Sequence, residues 1–201
     1  MGSFCSKPSD DSDIEQSSTK AGAPKGISVH CLKHVFLEEV KAQGLDEAST
    51  IYEIENLSSE KNGVIRSKGA HCIDPVDGRV GTSYVACLTG EDNVGPANFM
   101  LSYSWSYKIG DIVDTLCDFC KSGNLDERRT YIWLCCICIN QHRVVEKKDQ
   151  GESTKVDTFA KFRDTFYSRV TGIGKVISMV SDLILLDICF GKEMSLVFHH
   201  H

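Results

Sequence analysis

Residues 130–139 constrain the fold more than any other stretch. They read Thr-Tyr-Ile-Trp-Leu-Cys-Cys-Ile-Cys-Ile, a nearly continuous apolar run directly behind the Arg128-Arg129 pair. Such a run, without polar alternation, reads as a strand covered on both faces, as in a parallel sheet. Its neighbours fit that reading. Phe99-Met100-Leu101-Ser102-Tyr103-Ser104-Trp105 is a second apolar strand that ends in small polar residues. Ile109, Ile112, Val113, Leu116, Phe119 and Cys120 give an amphipathic helix, stopped by Gly123 and Asn124. Val156, Phe159, Phe162, Phe166 and Val170 give another, ended by Gly172 and Gly174. Lys175 to Val180 is a third strand, and Leu183 to Phe190 a further apolar element. Strands alternating with helices predict a parallel sheet joined by right-handed crossovers.

The chain before Asn98 is less regular. Val29, Leu32, Val35, Phe36 and Val40 have near-helical spacing, and Gly44 stops that helix. Ser49 to Ile54 reads as a short strand or turn. Leu57 to Gly69 is polar with an Asn62-Gly63 turn signal, and Asp74-Pro75-Val76-Asp77-Gly78 is another turn. Thr82 to Leu88 fits a short helix or strand, and Gly90 to Pro96 is a loop. Glu146 to Lys155 reads as a surface loop. The expected organisation is a disordered leader over 1–25, a small α+β segment over 26–96 and an α/β domain over 97–198. The leader is rich in Ser, Asp, Lys and Pro and has too few apolar groups to offset its ordering entropy.

Composition narrows the function. With 28 acidic and 22 basic residues the net charge is −6, and no Lys/Arg run exceeds two, which argues against nucleic acid as a partner. The C-terminal apolar stretch, Leu183 to Phe190, is broken by Asp187 and is too short to span a bilayer. The ten cysteines are not preceded by an apolar signal segment, so they read as reduced, cytosolic thiols. The opening Met1-Gly2-Ser3-Phe4-Cys5-Ser6-Lys7 fits N-myristoylation at Gly2. One acyl chain anchors only marginally, which makes Cys5 the candidate second, palmitoylated anchor. A cloning scar is the alternative for that end, and a tag remnant for His199-His200-His201.

Polar residues follow both main strands. Ser102, Ser104 and Trp105 follow the first, and Asn140, Gln141 and His142 the second. In open α/β sheets ligands bind beyond the carboxyl ends of the strands, so these groups can line one crevice. Alternatively, Asn140 and Gln141 cap loop backbone groups. His142 is the candidate general base, but no Gly-x-Ser-x-Gly elbow accompanies it. His30, His34 and His71 have no spacing that argues for metal. Cys117, Cys120, Cys135, Cys136 and Cys138 supply enough thiols for zinc. The first two lie on a helix and the others on a strand, with Cys136 and Cys138 on one face and Cys135 on the other, so core packing is the expected role and no metal.

Phe99-Met-Leu-Ser-Tyr-Ser-Trp105, with Tyr131-Ile-Trp-Leu-Cys-Cys-Ile-Cys-Ile-Asn-Gln141, resembles the fungal heterokaryon-incompatibility (HET) domain. Gly110 to Asp114 and Asn140-Gln141-His142 make it still more similar to TIR-like proteins of diatoms and other algae. The resemblance covers residues 98–180 and, for the algal group, extends to Val29–Gly95. It implies a flavodoxin-like (TIR-like) parallel sheet with flanking helices. Where the HET family has Asp after its Trp-Ile, this chain has Cys135. The Trp-Cys-x-x-Glu helix with which TIR-type enzymes cleave NAD has no counterpart. Glu193 only vaguely echoes its glutamate, and the last strands of the sheet are expected to be missing. The resemblance therefore implies a cytoplasmic signalling or interaction module, membrane-tethered if acylated, that self-associates or docks partners. Binding or cleavage of NAD at the strand-end crevice is the alternative, with no other cofactor implied.

Overall fold

The computed structural model describes residues 23–56, 60–149, 164, 166–180, 184–189 and 195–198. The expected leader and most of the helix expected over 156–170 lie outside them.

Strand β1 (Lys25–Ser28) runs straight into a helix, because the Ser28 hydroxyl accepts the Cys31 N–H at 2.9 Å and caps it. Helix α1 is continuous through Val29–Cys31, a π-helical turn Leu32–Phe36, and Leu37–Ala42. Across the wider turn Leu32, Phe36, Leu37 and Val40 all stay buried. Gly44 ends the helix as expected, at φ +78°. Ile51–Ile54, expected as strand or turn, is helix α2 instead. Thr50 and Glu53 close a capping box, with Thr50 N–H donating to Glu53 Oε2 at 2.7 Å. Val64–Gly69, within a stretch expected to be a polar turn, is helix α3, and Tyr84–Cys87 is a 3₁₀ turn.

Next come β2 (Val94–Pro96), β3 (Phe99–Ser102) and α4 (Ile109–Ser122), then β4 (Tyr131–Trp133), α5 (Cys135–Cys138) and α6 (Gln141–Asp149). Residues 166–173 are helical (α7), the closing part of the helix expected there, and run past its expected end. Strands β5 (Lys175–Val180), β6 (Ile184–Cys189) and β7 (Ser195–Phe198) follow. Glu146 to Asp149, expected as loop, belongs to α6.

The sheet has seven strands in the order β2-β1-β4-β3-β5-β6-β7. Only its centre is parallel: Phe99 pairs with Ile132, and Leu101 with Ile177. β1 is antiparallel to both β2 and β4. β6 and β7 continue past β5 as an antiparallel meander. The sheet is thus mixed, which corrects the expectation of a parallel one. Three residues separate β5 from β6, and a parallel return needs a crossover of roughly a dozen.

Pleating explains the apolar runs. Phe99, Leu101, Ile132 and Ile177 enter the larger core, where α1 and α4 pack. Met100, Trp133 and Val176 face the opposite side and meet Val170 of α7. The central strands of this mixed α/β sheet are covered on both faces, as the sequence predicts for the strand within 130–139. The larger core unites Ile27, Leu32, Phe36, Ile54 and Tyr84 with Ile112, Leu116 and Leu134, so residues on both sides of position 97 build it. The run from 130 to 139 is not one strand, however. β4 stops at Trp133, and Leu134 accepts N–H bonds from Ile137 (3.1 Å) and Cys138 (2.8 Å) to start a helical turn. Cys135, Cys136 and Cys138 therefore lie on a helix, and their expected alternation on a strand does not hold.

Candidate functional site

The polar groups beyond β3 and those beyond β4 go to different neighbours. Ser102 ends β3 opposite Ser178. The exposed Ser104 hydroxyl meets Ser106 at 2.8 Å. Trp105 packs its ring on Tyr52 with centroids 5.5 Å apart, and its carbonyl accepts the Tyr52 N–H at 3.3 Å. Asn140, Gln141 and His142 lie beyond α5; Asn140 and His142 turn towards residues 66–81, and Gln141 turns back onto α5. Among the described residues no hydrogen bond joins the two groups.

What the second group holds is a hairpin. Asp74-Pro75-Val76-Asp77-Gly78 folds as the turn its sequence predicts. Asp74 accepts Val76 N–H on its carboxylate (2.7 Å) and Gly78 N–H on its carbonyl (2.9 Å). Gly78 takes φ +70°, and Ile73 bridges Val80 across the turn. Asn140 then clamps the base. Its Nδ2 donates to the buried Asp74 carboxylate and to the Gly81 carbonyl (2.9 Å), and its Oδ1 accepts the His142 N–H (3.0 Å). Gly81 is required twice over: its φ is +93°, and a Cβ there would sit 3.0 Å from the His142 ring.

His142 Nε2 lies 3.1 Å from the Arg66 carbonyl. A carbonyl only accepts, so Nε2 carries the proton. Burial lowers the His142 pKa, and its bond to the Arg66 carbonyl only partly opposes that. The ring is a neutral tether, and nothing brings it to Ser102 or Ser104. Gln141 is buried and donates to the carbonyls of Cys135 and Cys136, both at 3.2 Å, although the Cys135 carbonyl also accepts the Ile139 N–H at 3.0 Å.

Arg143, the next residue, was not singled out from the sequence. It grips Asp77 through Nε (2.6 Å) and Nη2 (3.2 Å), and Nη2 also donates to the Val80 carbonyl (3.1 Å). Hydrogen bonding from Arg143 holds the Asp77 carboxyl well below the usual carboxylate range. Glu146 bridges Arg143 (2.8 Å) and Arg79 (3.0 Å). Beneath the clamp, Arg66 is paired with Glu55, both almost fully buried, and also donates to the carbonyls of Asn56 and Lys61. Burial raises the Glu55 pKa, while Arg66 opposes the rise.

The hairpin so held turns apolar side chains outward: Ile73 is 68% exposed, Val76 92%, Val80 63%, and the adjoining Val144 of α6 41%. Asp77, Arg79, Arg143 and Glu146 rim this face.

Elsewhere, Gly110 of the Gly110–Asp114 motif lets α4 start against Glu47, whose carbonyl accepts the Gly110 N–H at 2.9 Å. Cys117, Cys120 and Cys136 are buried in the core. Among the described residues no three His, Cys, Asp or Glu side chains group as a metal site requires, and no helix is long and apolar enough to cross a membrane. Gly2, Cys5 and Glu193 lie outside the described residues.

Fold and site together define a mixed α/β protein whose Asn140–Arg143 segment anchors an apolar surface hairpin. No protein-family model, curated protein or solved structure matches the chain.

Proposed function

We propose that the chain is an interaction module of TIR-like or HET-like type that acts by self-association, with the 73–80 hairpin and Val144 as its contact face. The observation that carries this reading is the clamped hairpin. Asn140, His142 and Arg143 hold it in place while Ile73, Val76 and Val80 stay in water. Contiguous exposed apolar groups with a polar rim are a common mark of protein–protein contact. A second copy is the favoured partner because the rim is balanced, with Asp77 and Glu146 against Arg79 and Arg143. A balanced rim can meet its own copy across a two-fold axis without like-charge repulsion, although the chain as a whole is acidic.

The finer fold reading supports the same class. In the parallel core β4-β3-β5, the first strand in chain order lies between the second and third, which is how a flavodoxin-like sheet begins. The nucleotide reading is weaker, because Asn140, Gln141 and His142 already have partners within the chain. Acylation at Gly2 and Cys5 would add a membrane tether to a cytoplasmic module.

Sedimentation velocity over a wide concentration range, in reducing buffer, tests the proposal. The native chain is expected to dimerise. Val76→Asp, at a site already in water, should remain monomeric and folded. Burying a valine is worth about 1.5–3 kcal/mol, and a two-fold contact loses it twice, so dimer affinity should fall at least about a hundredfold. A native chain that is monomeric throughout, or a Val76→Asp dimer of unchanged affinity, would overturn the proposal.

A further inference from the structure

Cys72 follows α3, and Cys87 closes the 3₁₀ turn Tyr84–Cys87. Two backbone contacts draw these segments together. The Gly81 N–H donates to the Cys72 carbonyl at 2.9 Å, and the Thr82 N–H to the Gly69 carbonyl at 3.2 Å. Gly69 makes the approach sterically possible, since a Cβ there would lie 2.1 Å from the Thr82 carbonyl oxygen. Helix α3 packs on the 3₁₀ turn, the Cys87 thiol donates to the Ser83 carbonyl at 3.7 Å, and Cys72 lies close enough to act on the charge of Cys87. Cys72 is exposed and Cys87 half-buried, whereas Cys31, Cys117, Cys120 and Cys136 are closed off in the core. Beside the pair stands Lys68, which is bound to Glu39 and lies over the Tyr84 ring at 5.7 Å. Its ammonium favours negative charge on Cys87.

We propose that Cys72 and Cys87 are a redox-active dithiol, with a hydroperoxide as oxidant and an intramolecular disulfide as product. Cys72 is the attacking sulfur because it meets solvent. Cys87 keeps its proton, since burial and the neighbouring Cys72 push its thiol up to about 12. In the first step the Cys72 thiolate attacks a peroxide oxygen. The S–O bond forms, the O–O bond breaks, and the leaving oxygen takes a proton and departs as water or alcohol. In the second step the Cys87 sulfur attacks the Cys72 sulfenic acid. The S–S bond forms, the S–O bond breaks, and hydroxide leaves as water with the Cys87 proton. Overall the two thiols lose two electrons and two protons, and the peroxide gains both. An external thiol reverses the change by exchange.

The full chain, reduced and then treated with hydrogen peroxide, is alkylated, digested and mapped by mass spectrometry. The expected product is a Cys72–Cys87 linked peptide, two hydrogens lighter than its reduced parts and absent after treatment with dithiothreitol. In Cys87→Ser, Cys72 should be recovered as a sulfenic acid trapped by dimedone. The result on the native chain stands whether or not that variant folds. Cys72 oxidised without a link to Cys87, Cys72 linked only between molecules, or both thiols still alkylated in excess peroxide would each overturn the proposal.

Discussion

Replacing Asn140 with alanine separates a clamp from a ligand site. The substitution removes a bond to the buried Asp74 carboxylate, a bond to the Gly81 carbonyl and the acceptor of the His142 N–H. A hydrogen bond to a charged group contributes about 1.5–3 kcal/mol and a neutral one about 0.5–1.5. With water replacing part of the loss, the expected destabilisation is about 2–4 kcal/mol, or roughly 5–15 °C in thermal midpoint for a chain of this size. Circular dichroism measures the midpoint. Hydrogen exchange shows where the loss falls: the amides of Val76, Gly78 and Arg79, all bonded within the turn, should lose protection, while those of α4 exchange as before below the transition. A midpoint unchanged within about 1 °C, with the hairpin amides still protected, would refute the clamp and return Asn140 to the ligand-binding role its position suggests.

Two further perturbations follow from the same network. Glu55→Ala leaves the buried Arg66 guanidinium without its carboxylate and should destabilise by about 3–5 kcal/mol in urea titration, while Glu55→Leu with Arg66→Met should recover most of the loss. If the single and double variants are equally unstable, the pair is not what makes the site sensitive. Acid should loosen the clamp. Asp77 and His142 both have folded pKa values below their ordinary ones, so their contribution is full above the unfolded values. It is lost as the pH falls, from near 6.5 for His142 and from near 4 for Asp77, through the lower folded values. The thermal midpoint should therefore decline on acidification, with the lower step missing in Asp77→Asn. A midpoint that rises between pH 7 and 5 would contradict this sign.

The sequence carried the hydrophobic layers well and the polar contacts poorly. β3, α4, β5 and the Asp74–Gly78 turn follow from apolar period and turn chemistry, which are local signals. The end of β4 does not, because Tyr-Ile-Trp-Leu-Cys-Cys-Ile-Cys-Ile is equally apolar as strand and as buried helical turn. α2 was within reach through Thr50-x-x-Glu53, a capping box in plain sequence. The antiparallel flank made by β1 and β2 depends on long-range pairing of Ile27 with Val94 and Ile132, which no local pattern encodes. Asn140, Gln141 and His142 stood out by residue type and position. The partners of Asn140 and His142, namely Asp74, Gly81 and Arg66, are about sixty or more positions away, so only the fold reveals that these two face the hairpin. Arg143 and the Glu55–Arg66 pair were missed for the same reason, since a charged residue in a polar stretch looks solvated until its partner is known.

The most direct test of the self-associating hairpin is hydroxyl-radical footprinting of side chains at low and high protein concentration. Ile73, Val76, Val80 and Val144 should lose reactivity as the dimer forms, while Tyr52 and Tyr167, which are exposed and not part of the hairpin, keep theirs. Reactivity at the four aliphatic residues that does not change with concentration, or protection that falls elsewhere, would contradict the account.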